Sequence, residues 1–344
     1  MRLFVAQSEY SQLNDWGRRF VPHLKSWIER LNNPEYQVAA DPADADLILF
    51  LESNSYKRKR YISNLLREPL LQRYPKRTFT INYEPSPAGL LPGAYTGLVQ
   101  GRFNPIRHRA GPYPVPPNAL VDEFDPARHS SARPKLTCSF RGACSDAVRE
   151  RIFRIFSRRS NPSWKVTKTT KWFTHTEDEK RDYLSEILDS KFVLCPRGLS
   201  PSSHRLFEVM ALGRCPVIIS DAWVPPAGIE WEHFSIRVAE SEIPSLPEYL
   251  SRYESNWRDM GSIARRVWET HFSKPNRLIF AVKAIRDIQK ARPRDYDDAT
   301  YRTEWHTRTF QRKNRWGFDQ RILDKCRRFI RKAKHRYATR IFFP

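Results

Sequence analysis

Two residues near the middle of the chain have the types and the spacing needed to hold a nucleotide. Arg205 and Glu208 lie three positions apart, directly after a loop of glycine, proline and serine that runs from Arg197 to Ser203. On a helix, side chains at this spacing project from one face. An arginine can bind phosphate and a carboxylate can accept hydrogen bonds from ribose hydroxyls. The alternative is a surface ion pair, worth only about 0.3 kcal/mol. The spacing alone leaves both interpretations open.

The flanking segments predict a strand, a loop, a helix and a second strand. The residues from Phe192 to Cys195 and from Pro216 to Ile219 are continuous apolar runs, typical of buried strands in a parallel sheet covered on both faces. Ser202 or Ser203 can cap the helix between them, and Gly213 can end it. A helix N-terminus preceded by such a loop favours an anion, because its backbone N–H groups and its dipole both face the ligand.

Further candidate phosphate ligands lie in this loop and in a second turn between a strand and a helix. We call the loop the first corner and this turn the second corner. In the loop these are Arg197, Gly198 and Ser203. The second corner follows the apolar segment from Lys135 to Phe140, where an Arg-Gly turn leads into a predicted helix. Its candidates are Arg141 and Arg149, although Arg149 could equally be one solvated arginine in a very basic chain.

The central segment resembles the signature of exostosin-like glycosyltransferases. The resemblance rests on Cys195-Pro-Arg-Gly198, on Ser203-x-Arg205-Leu-Phe-Glu208, on the Gly-x-Cys-Pro-Val-Ile-Ile-Ser-Asp run that begins at Gly213, and on Trp223-x-x-Pro226. It extends over roughly residues 133–284.

The resemblance implies a GT-B fold, in which two Rossmann-like parallel-sheet domains face each other across a cleft. It further implies that the second domain binds a nucleotide-sugar, usually a UDP-sugar, and that the sugar is transferred with inversion. Matched by motif position, Arg205 would contact the diphosphate and Glu208 the ribose. Arg141 falls on a Phe-Arg-Gly element that the family also has. The implied donor binding needs no protein-bound metal, and no other cofactor is expected.

Length and composition agree with two α/β domains. The chain has 344 residues, of which 40% are hydrophobic, enough for two cores. We predict an N-terminal acceptor-side domain over 1–130, a nucleotide-sugar-binding domain over 131–290, and a basic amphipathic helical tail over 291–344. In the first domain, the segments Leu3 to Ala6, Leu47 to Leu51 and Thr78 to Tyr83 are the expected strands.

The sequence offers three candidates for the general base that deprotonates the acceptor, namely Glu52, Glu84 and His108. The two glutamates follow predicted strands, where parallel α/β sheets place their ligands, and His108 lies in a long loop rich in proline and arginine. Each could instead be a loop residue satisfied by the backbone. Asp44 and Asp46 form a D-x-D pattern, but their position before a strand favours a structural role over a metal site.

The tail predicts an interaction with an anionic membrane surface. Residues 301–344 contain 14 lysines and arginines against three carboxylates, and apolar residues recur there at helical spacing. A basic amphipathic helix of this kind binds anionic lipid surfaces. The alternative is a helix that packs back on the N-terminal domain.

Together these features predict a glycosyltransferase of the hexosyl- or glycuronosyl-transferring type. Its substrates would be a UDP-sugar donor and a glycan or lipid-linked glycan acceptor. The alternatives are a basic nucleic-acid-binding protein, although no known nucleic-acid module is recognisable, and an inactive glycan-binding relative. Five cysteines without C-x-x-C spacing indicate a reducing compartment and no structural zinc. No apolar segment is long enough to span a bilayer. Animal exostosins are anchored by an N-terminal membrane helix, so the resemblance implies a cytoplasmic, bacterial relative, expected to be peripheral at the inner face of the plasma membrane.

Overall fold

The computed structural model describes residues 1–7, 26–27, 29–30, 34–51, 65–85, 87, 89–114, 118–125, 133–157, 161–170, 175–274, 276–293, 296, 298–305 and 307–308. Glu52 lies outside these residues, as do residues 126–132 at the predicted boundary between the first two domains and the tail after position 308.

The first sheet is parallel throughout and is built from the N-terminal part of the chain. Its strands are β1 Arg2–Gln7, β2 Gln37–Val38, β3 Leu47–Leu51, β4 Thr78–Asn82, β5 Gly93–Tyr95 and β6 His108–Ala110, in the order β2-β1-β3-β4-β5-β6. Every residue of β3 and β4 is buried. Both faces of this sheet are therefore covered at its centre.

The second sheet is also parallel and contains the central segment. Its strands are β7 Leu136–Ala143, β8 Trp164–Thr169, β9 Ser190–Pro196, β10 Cys215–Ile219 and β11 Ile236–Arg237, in the order β11-β10-β9-β7-β8. The two Rossmann-like sheets confirm the predicted α/β fold class.

The helices of the described residues cover these sheets. They are α1 Pro69–Arg73, α2 Ala147–Phe156, α3 Glu177–Leu188, α4 His204–Ala211, α5 Leu246–Ser251, α6 Trp257–Val267, α7 Asn276–Ala291 and α8 Ala299–Glu304, with a π-helical turn at Trp268–Phe272. The helix of the central segment is α4, with Ser203 at its N-cap and Gly213 just beyond its end at φ +63°. That backbone conformation favours glycine, as predicted from the sequence.

Helix α7 does not belong with the domain to which the sequence assigned it. Its apolar side chains, among them Leu278, Val282 and Ile285, pack with Leu3 and Leu47 of the first sheet. The predicted boundary at 290 therefore differs from the packing, because the chain returns to the first sheet before α7. A periodic apolar face shows that a helix packs, but it does not show against which sheet.

The start of the predicted tail also packs on the first sheet. Trp305 is fully buried in a cluster with Phe50 and Leu65. Asp298 forms a buried ion pair with Arg107, next to β6. For this first part of the tail, the structure therefore supports packing on the N-terminal domain over membrane contact.

The D-x-D pattern has a local structural role. Asp41 caps the short 3-10 helix Pro42–Asp44, and Oδ2 of Asp46 accepts a hydrogen bond of 2.7 Å from the backbone N–H of Arg2. Asp44 is exposed and lies 3.9 Å from the Arg2 guanidinium. Within the described residues, no helix has the length and apolar character that crossing a bilayer requires.

Candidate functional site

A cleft of about 630 Å³ lies at the carboxyl ends of strands from both sheets. The first-sheet side contributes Tyr83, Glu84 and Pro85 after β4, and Tyr113 and Pro114 after β6. The second-sheet side is formed by the ends of β7 and β8, the loop after β9, and parts of α3 and α4. Parallel α/β sheets bind ligands at this end, and the volume is in the range of small-molecule sites.

Arg205 lies in the cleft wall on the first turn of α4. It is only 9% exposed, and its guanidinium lies over the Phe140 ring at 4.7 Å and donates to the backbone oxygen of Arg141. Its Nε atom is buried without a hydrogen-bond partner among the described residues. A cation is disfavoured at a helix N-terminus unless an anion is nearby, so this placement favours a bound anion.

Glu208 lies one turn further along α4, behind Arg205. Its Oε2 accepts a 2.6 Å hydrogen bond from the Tyr183 hydroxyl of α3. Burial raises the pKa of Glu208, while the Tyr183 hydroxyl and the Arg205 charge oppose that rise. The carboxylate is thus held in one orientation beside the cation, as a hydrogen-bond acceptor for a ligand requires.

Arg149 and Arg141 supply the second corner, as the sequence predicted for their position. Arg149 of α2 donates to the backbone oxygens of Arg197, Ala143 and Pro196 at 3.1–3.3 Å. Burial and the nearby charge of Arg205 lower the pKa of Arg149 to about 10, so it remains a cation at neutral pH. Arg141 lines the same cleft, with its guanidinium 3.8 Å from the buried Glu186.

Two glycines allow the arginines to approach the backbone closely. A Cβ atom on Gly198 would lie 2.9 Å from Ser145 Oγ and 3.1 Å from Arg149 Nη2. A Cβ on Gly142 would lie 2.9 Å from Arg205 Nη2. Both distances are shorter than ordinary contacts, so the absence of a side chain makes room for the guanidinium groups.

Arg197 does not join the other candidates in the cleft wall. Its Nε lies 2.6 Å from Oε1 of Glu240 and its Nη1 lies 2.8 Å from Oδ2 of Asp146. These two carboxylates hold the Arg197 side chain, which does not line the cleft, so the structure favours a structural role for it over phosphate contact. Both partners are distant in sequence, so the loop pattern could not reveal them.

Glu84 and His108 are the candidate bases that the structure describes, and of these two Glu84 lines the cleft. It follows β4, is 3% exposed, and lies on the side facing the second sheet. His108 is fully buried outside the cleft wall, with Nδ1 accepting from the Asn104 backbone N–H and Nε2 next to the Gly89 carbonyl oxygen. Burial lowers the pKa of His108 to about 3, and both of its ring nitrogens are engaged by the backbone, which favours the structural role over the base role.

The sequence analysis missed three side chains of this site, Tyr113, Tyr183 and His204. The rings of Tyr113 and His204 stack with centroids 3.4 Å apart and an interplanar angle of 27°. His204 could have been predicted as a site residue, because it directly precedes Arg205 in the Ser203-x-Arg205 motif. Tyr113 and Tyr183 lie on other elements, and nothing in their local sequence distinguishes them from core aromatics.

Comparison with known proteins finds a family similarity that includes part of this site. Residues 100–253 match the family model of the Exostosin GT47 domain. This part of the chain is similar to an exostosin GT47 domain.

Several curated proteins are similar to part of this chain in sequence. A protein from Oryza sativa subsp. japonica named Probable glucuronosyltransferase Os01g0926700 is 31% identical over 160 residues, which are 45% of this chain and 38% of that protein. The Exostosin-1 homolog of Caenorhabditis elegans is 31% identical over 124 residues, or 35% of this chain and 32% of that protein. The chain thus spans well under half the length of these relatives. Among solved structures, an alpha-glucosyltransferase in complex with UDP and DNA aligns with a TM-score of 0.44 at 10% identity, over 84% of this chain and 99% of that one.

The matched residues 100–253 include Tyr113 and all the lining residues on the second-sheet side of the cleft. Glu84 precedes the matched residues, so the exostosin GT47 match covers the candidate nucleotide-binding residues and leaves out the candidate base.

Proposed function

We propose that this chain is a glycosyltransferase that moves a sugar from a UDP-sugar to a glycan or lipid-linked glycan, with inversion at the transferred carbon. The observation that carries the proposal is the convergence of Arg149, Arg205 and Glu208 on one cleft, within the residues that match the exostosin GT47 domain. The curated relatives named as glucuronosyltransferase and exostosin homologue support the same reaction class.

The donor diphosphate would bind where the arginines meet the N-terminus of α4. Arg205 and Arg149 both line the cleft there, and each guanidinium carries five N–H donors. Arginine and a helix N-terminus each bind phosphate oxygens, and together they offset the negative charge of a diphosphate. Glu208, held by Tyr183, would accept hydrogen bonds from the ribose hydroxyls.

Glu84 is the group we assign as general base. It would take the proton of the acceptor hydroxyl as that oxygen attacks the anomeric carbon of the sugar. The bond between this carbon and the diphosphate oxygen breaks, and its electron pair leaves with the UDP. The arginines would stabilise the charge that develops on the leaving group.

We propose that donor binding requires no metal ion, because the arginines can carry the charge compensation that a cation would otherwise supply. Within the described ranges, no cluster of three or more His, Cys, Asp or Glu side chains has the geometry of a metal site. We also keep the proposal that basic residues after position 308 bind an anionic membrane at its cytoplasmic face, where a lipid-linked acceptor would be found.

The first test is calorimetric titration of the full chain with UDP, GDP and ADP, with and without Mg²⁺ or Mn²⁺. We expect UDP to bind most tightly and its affinity to be indifferent to metal. The variants Arg205→Met and Glu208→Gln should weaken UDP binding, and Arg181→Ala, which removes an exposed arginine, should not. A chain that binds no nucleotide would overturn the proposal and favour nucleic-acid or glycan binding.

Membrane association is tested separately by sedimentation with vesicles of phosphatidylserine and phosphatidylcholine. A chain ending at residue 308 keeps the buried Trp305 and loses 12 of the 14 basic residues of 301–344. We expect the full chain to sediment with the vesicles at low salt and the shortened chain to stay in solution. Equal sedimentation of the two chains would contradict a membrane role for these residues.

A further inference from the structure

His204 is the first residue of α4 and lines the cleft between the two corners that carry the arginines. Its ring stacks on Tyr113, whose hydroxyl donates a 3.1 Å hydrogen bond to the Ser202 backbone oxygen. Tyr113 is therefore anchored to the loop that precedes α4, and it restrains the plane of the imidazole. A ring held this firmly presents one defined edge to the cleft.

The two ring nitrogens of His204 have different surroundings. Nδ1 is buried and has no hydrogen-bond partner among the described residues. The residue lines the cleft, and because Nδ1 is buried, the edge that carries Nε2 is the one left to face it. A neutral imidazole carries one N–H, and a hydrogen on Nε2 can reach a ligand whereas a hydrogen on Nδ1 would point at no acceptor.

The environment also keeps this ring neutral. Burial and the neighbouring charge of Arg149 lower the pKa of His204 to about 3. The group is therefore a hydrogen-bond donor that adds no charge to a site where Arg149 and Arg205 already repel each other. Such a group can bind a phosphate oxygen without the desolvation cost of a further buried cation.

We propose that Nε2–H of His204 donates a hydrogen bond to a phosphate oxygen of the donor nucleotide. This role rests on the proposed function, because it requires the diphosphate to lie at the N-terminus of α4. The phosphate is favoured over the nucleoside because His204 shares this helix end with Arg205 and lies near Arg149, whereas the ribose-binding candidate Glu208 lies a full turn away. His204 would thus be a direct ligand of the donor, held in position by Tyr113.

Two substitutions separate the hydrogen bond from the ring. His204→Phe keeps an aromatic ring on Tyr113 and removes the donor, whereas His204→Gln removes the ring and keeps an N–H at a similar distance from the backbone. Titrations with UDP and with uridine then distinguish a contact to phosphate from a contact to the nucleoside. Melting temperatures of both variants report whether the fold is intact.

We expect His204→Phe to weaken UDP binding by about 10-fold or more, the usual effect of losing a hydrogen bond to a charged group. His204→Gln should bind UDP within about threefold of the wild type, since its amide can replace the donor. Uridine affinity should be the same in all three proteins. An unchanged UDP affinity in the folded His204→Phe protein, or an equal loss for uridine, would overturn the assignment while leaving the donor site standing. A wild-type chain that binds no nucleotide would overturn both.

Discussion

The Tyr183 hydroxyl donates a 2.6 Å hydrogen bond to Oε2 of Glu208, joining α3 to α4 at the back of the cleft. Tyr183 is 25 residues from Glu208 in sequence and shares no motif with it. The bond fixes the carboxylate that we assign to the ribose, so the site depends on how two helices pack as well as on the residues within α4.

Replacing Tyr183 by phenylalanine tests this relationship. The change leaves a buried carboxylate oxygen without its donor, so we expect the free energy of unfolding to fall by about 1–3 kcal/mol and UDP binding to weaken. Urea unfolding and calorimetric titration measure the two effects. Tyr249→Phe is the control, because it removes a tyrosine hydroxyl that hydrogen-bonds to Glu242 outside the cleft, and it should leave UDP affinity unchanged. If Tyr183→Phe binds UDP as the wild type does, the bond is not needed for the orientation of Glu208.

Glu84→Gln should remove the general base and leave the donor site intact. Base catalysis contributes about 100- to 10,000-fold, so we expect kcat to fall within that range in an assay with a competent acceptor, while UDP affinity stays unchanged. Glu179→Gln is a matched control, because Glu179 also lines the cleft but caps α3. A Glu84→Gln protein that retains full kcat would exclude Glu84 as the base.

Gly198→Ala should displace Arg149 and Ser145 and have little effect on the free energy of unfolding. Its Cβ would lie 2.9 Å from Ser145 Oγ and 3.1 Å from Arg149 Nη2, and these side chains must move to admit it. We expect UDP affinity to fall by about 10-fold, in line with the loss of one charged hydrogen bond. Gly101→Ala is the control, because a Cβ there meets no atom within 4 Å. Equal UDP affinity in both variants would show that the approach of Arg149 to the loop is not required.

Arg197→Met should lower the stability of the protein without weakening UDP binding. The substitution leaves Glu240 and Asp146 without their shared partner, and we expect unfolding free energy to drop by about 1–2 kcal/mol because the three groups are only partly buried. UDP affinity should remain within about twofold of the wild type, in contrast to Arg205→Met. A large loss of UDP affinity would return Arg197 to the set of phosphate ligands.

The buried His108 predicts a loss of stability on mild acidification. Burial, with the charge of Arg107, lowers its pKa from 6.5 to about 3, so the neutral ring contributes fully above pH 6.5 and progressively less as the pH falls towards 3. Between pH 7 and pH 5 the unfolded chain takes up a proton on His108 that the folded chain does not, which lowers the free energy of unfolding by about 2 kcal/mol. His204, whose pKa is lowered equally, adds a similar amount, so His204→Phe should remove about half of the total slope and leave the part due to His108. Urea unfolding at several pH values measures this slope. His233→Ala, which removes an exposed histidine, should preserve it, and a flat profile would contradict the burial of a neutral His108.

Two strands of the second sheet and the helix between them could be predicted from the sequence by itself, together with the main candidate ligands on that helix. Continuous apolar runs predicted β9 and β10, and the capped, periodic segment between them predicted α4 with Arg205 and Glu208 on it. These features are local, because strand burial, capping and helix termination depend on neighbouring residues and on periodicity. The recognised motif then added the expected fold and the expected nucleotide.

Tertiary structure decided which of these residues face the cleft. Arg197 and Arg205 have equal chemistry and lie in the same motif, yet Glu240 and Asp146 draw one away while Phe140 and the Arg141 backbone hold the other in place. The Tyr113–His204 stack, the Tyr183–Glu208 hydrogen bond and the docking of α7 on the first sheet likewise join segments that are far apart in the chain. Such contacts depend on how the layers pack. A side chain's charge or apolar surface determines which kind of partner it needs, but the local sequence does not show which residue that partner is.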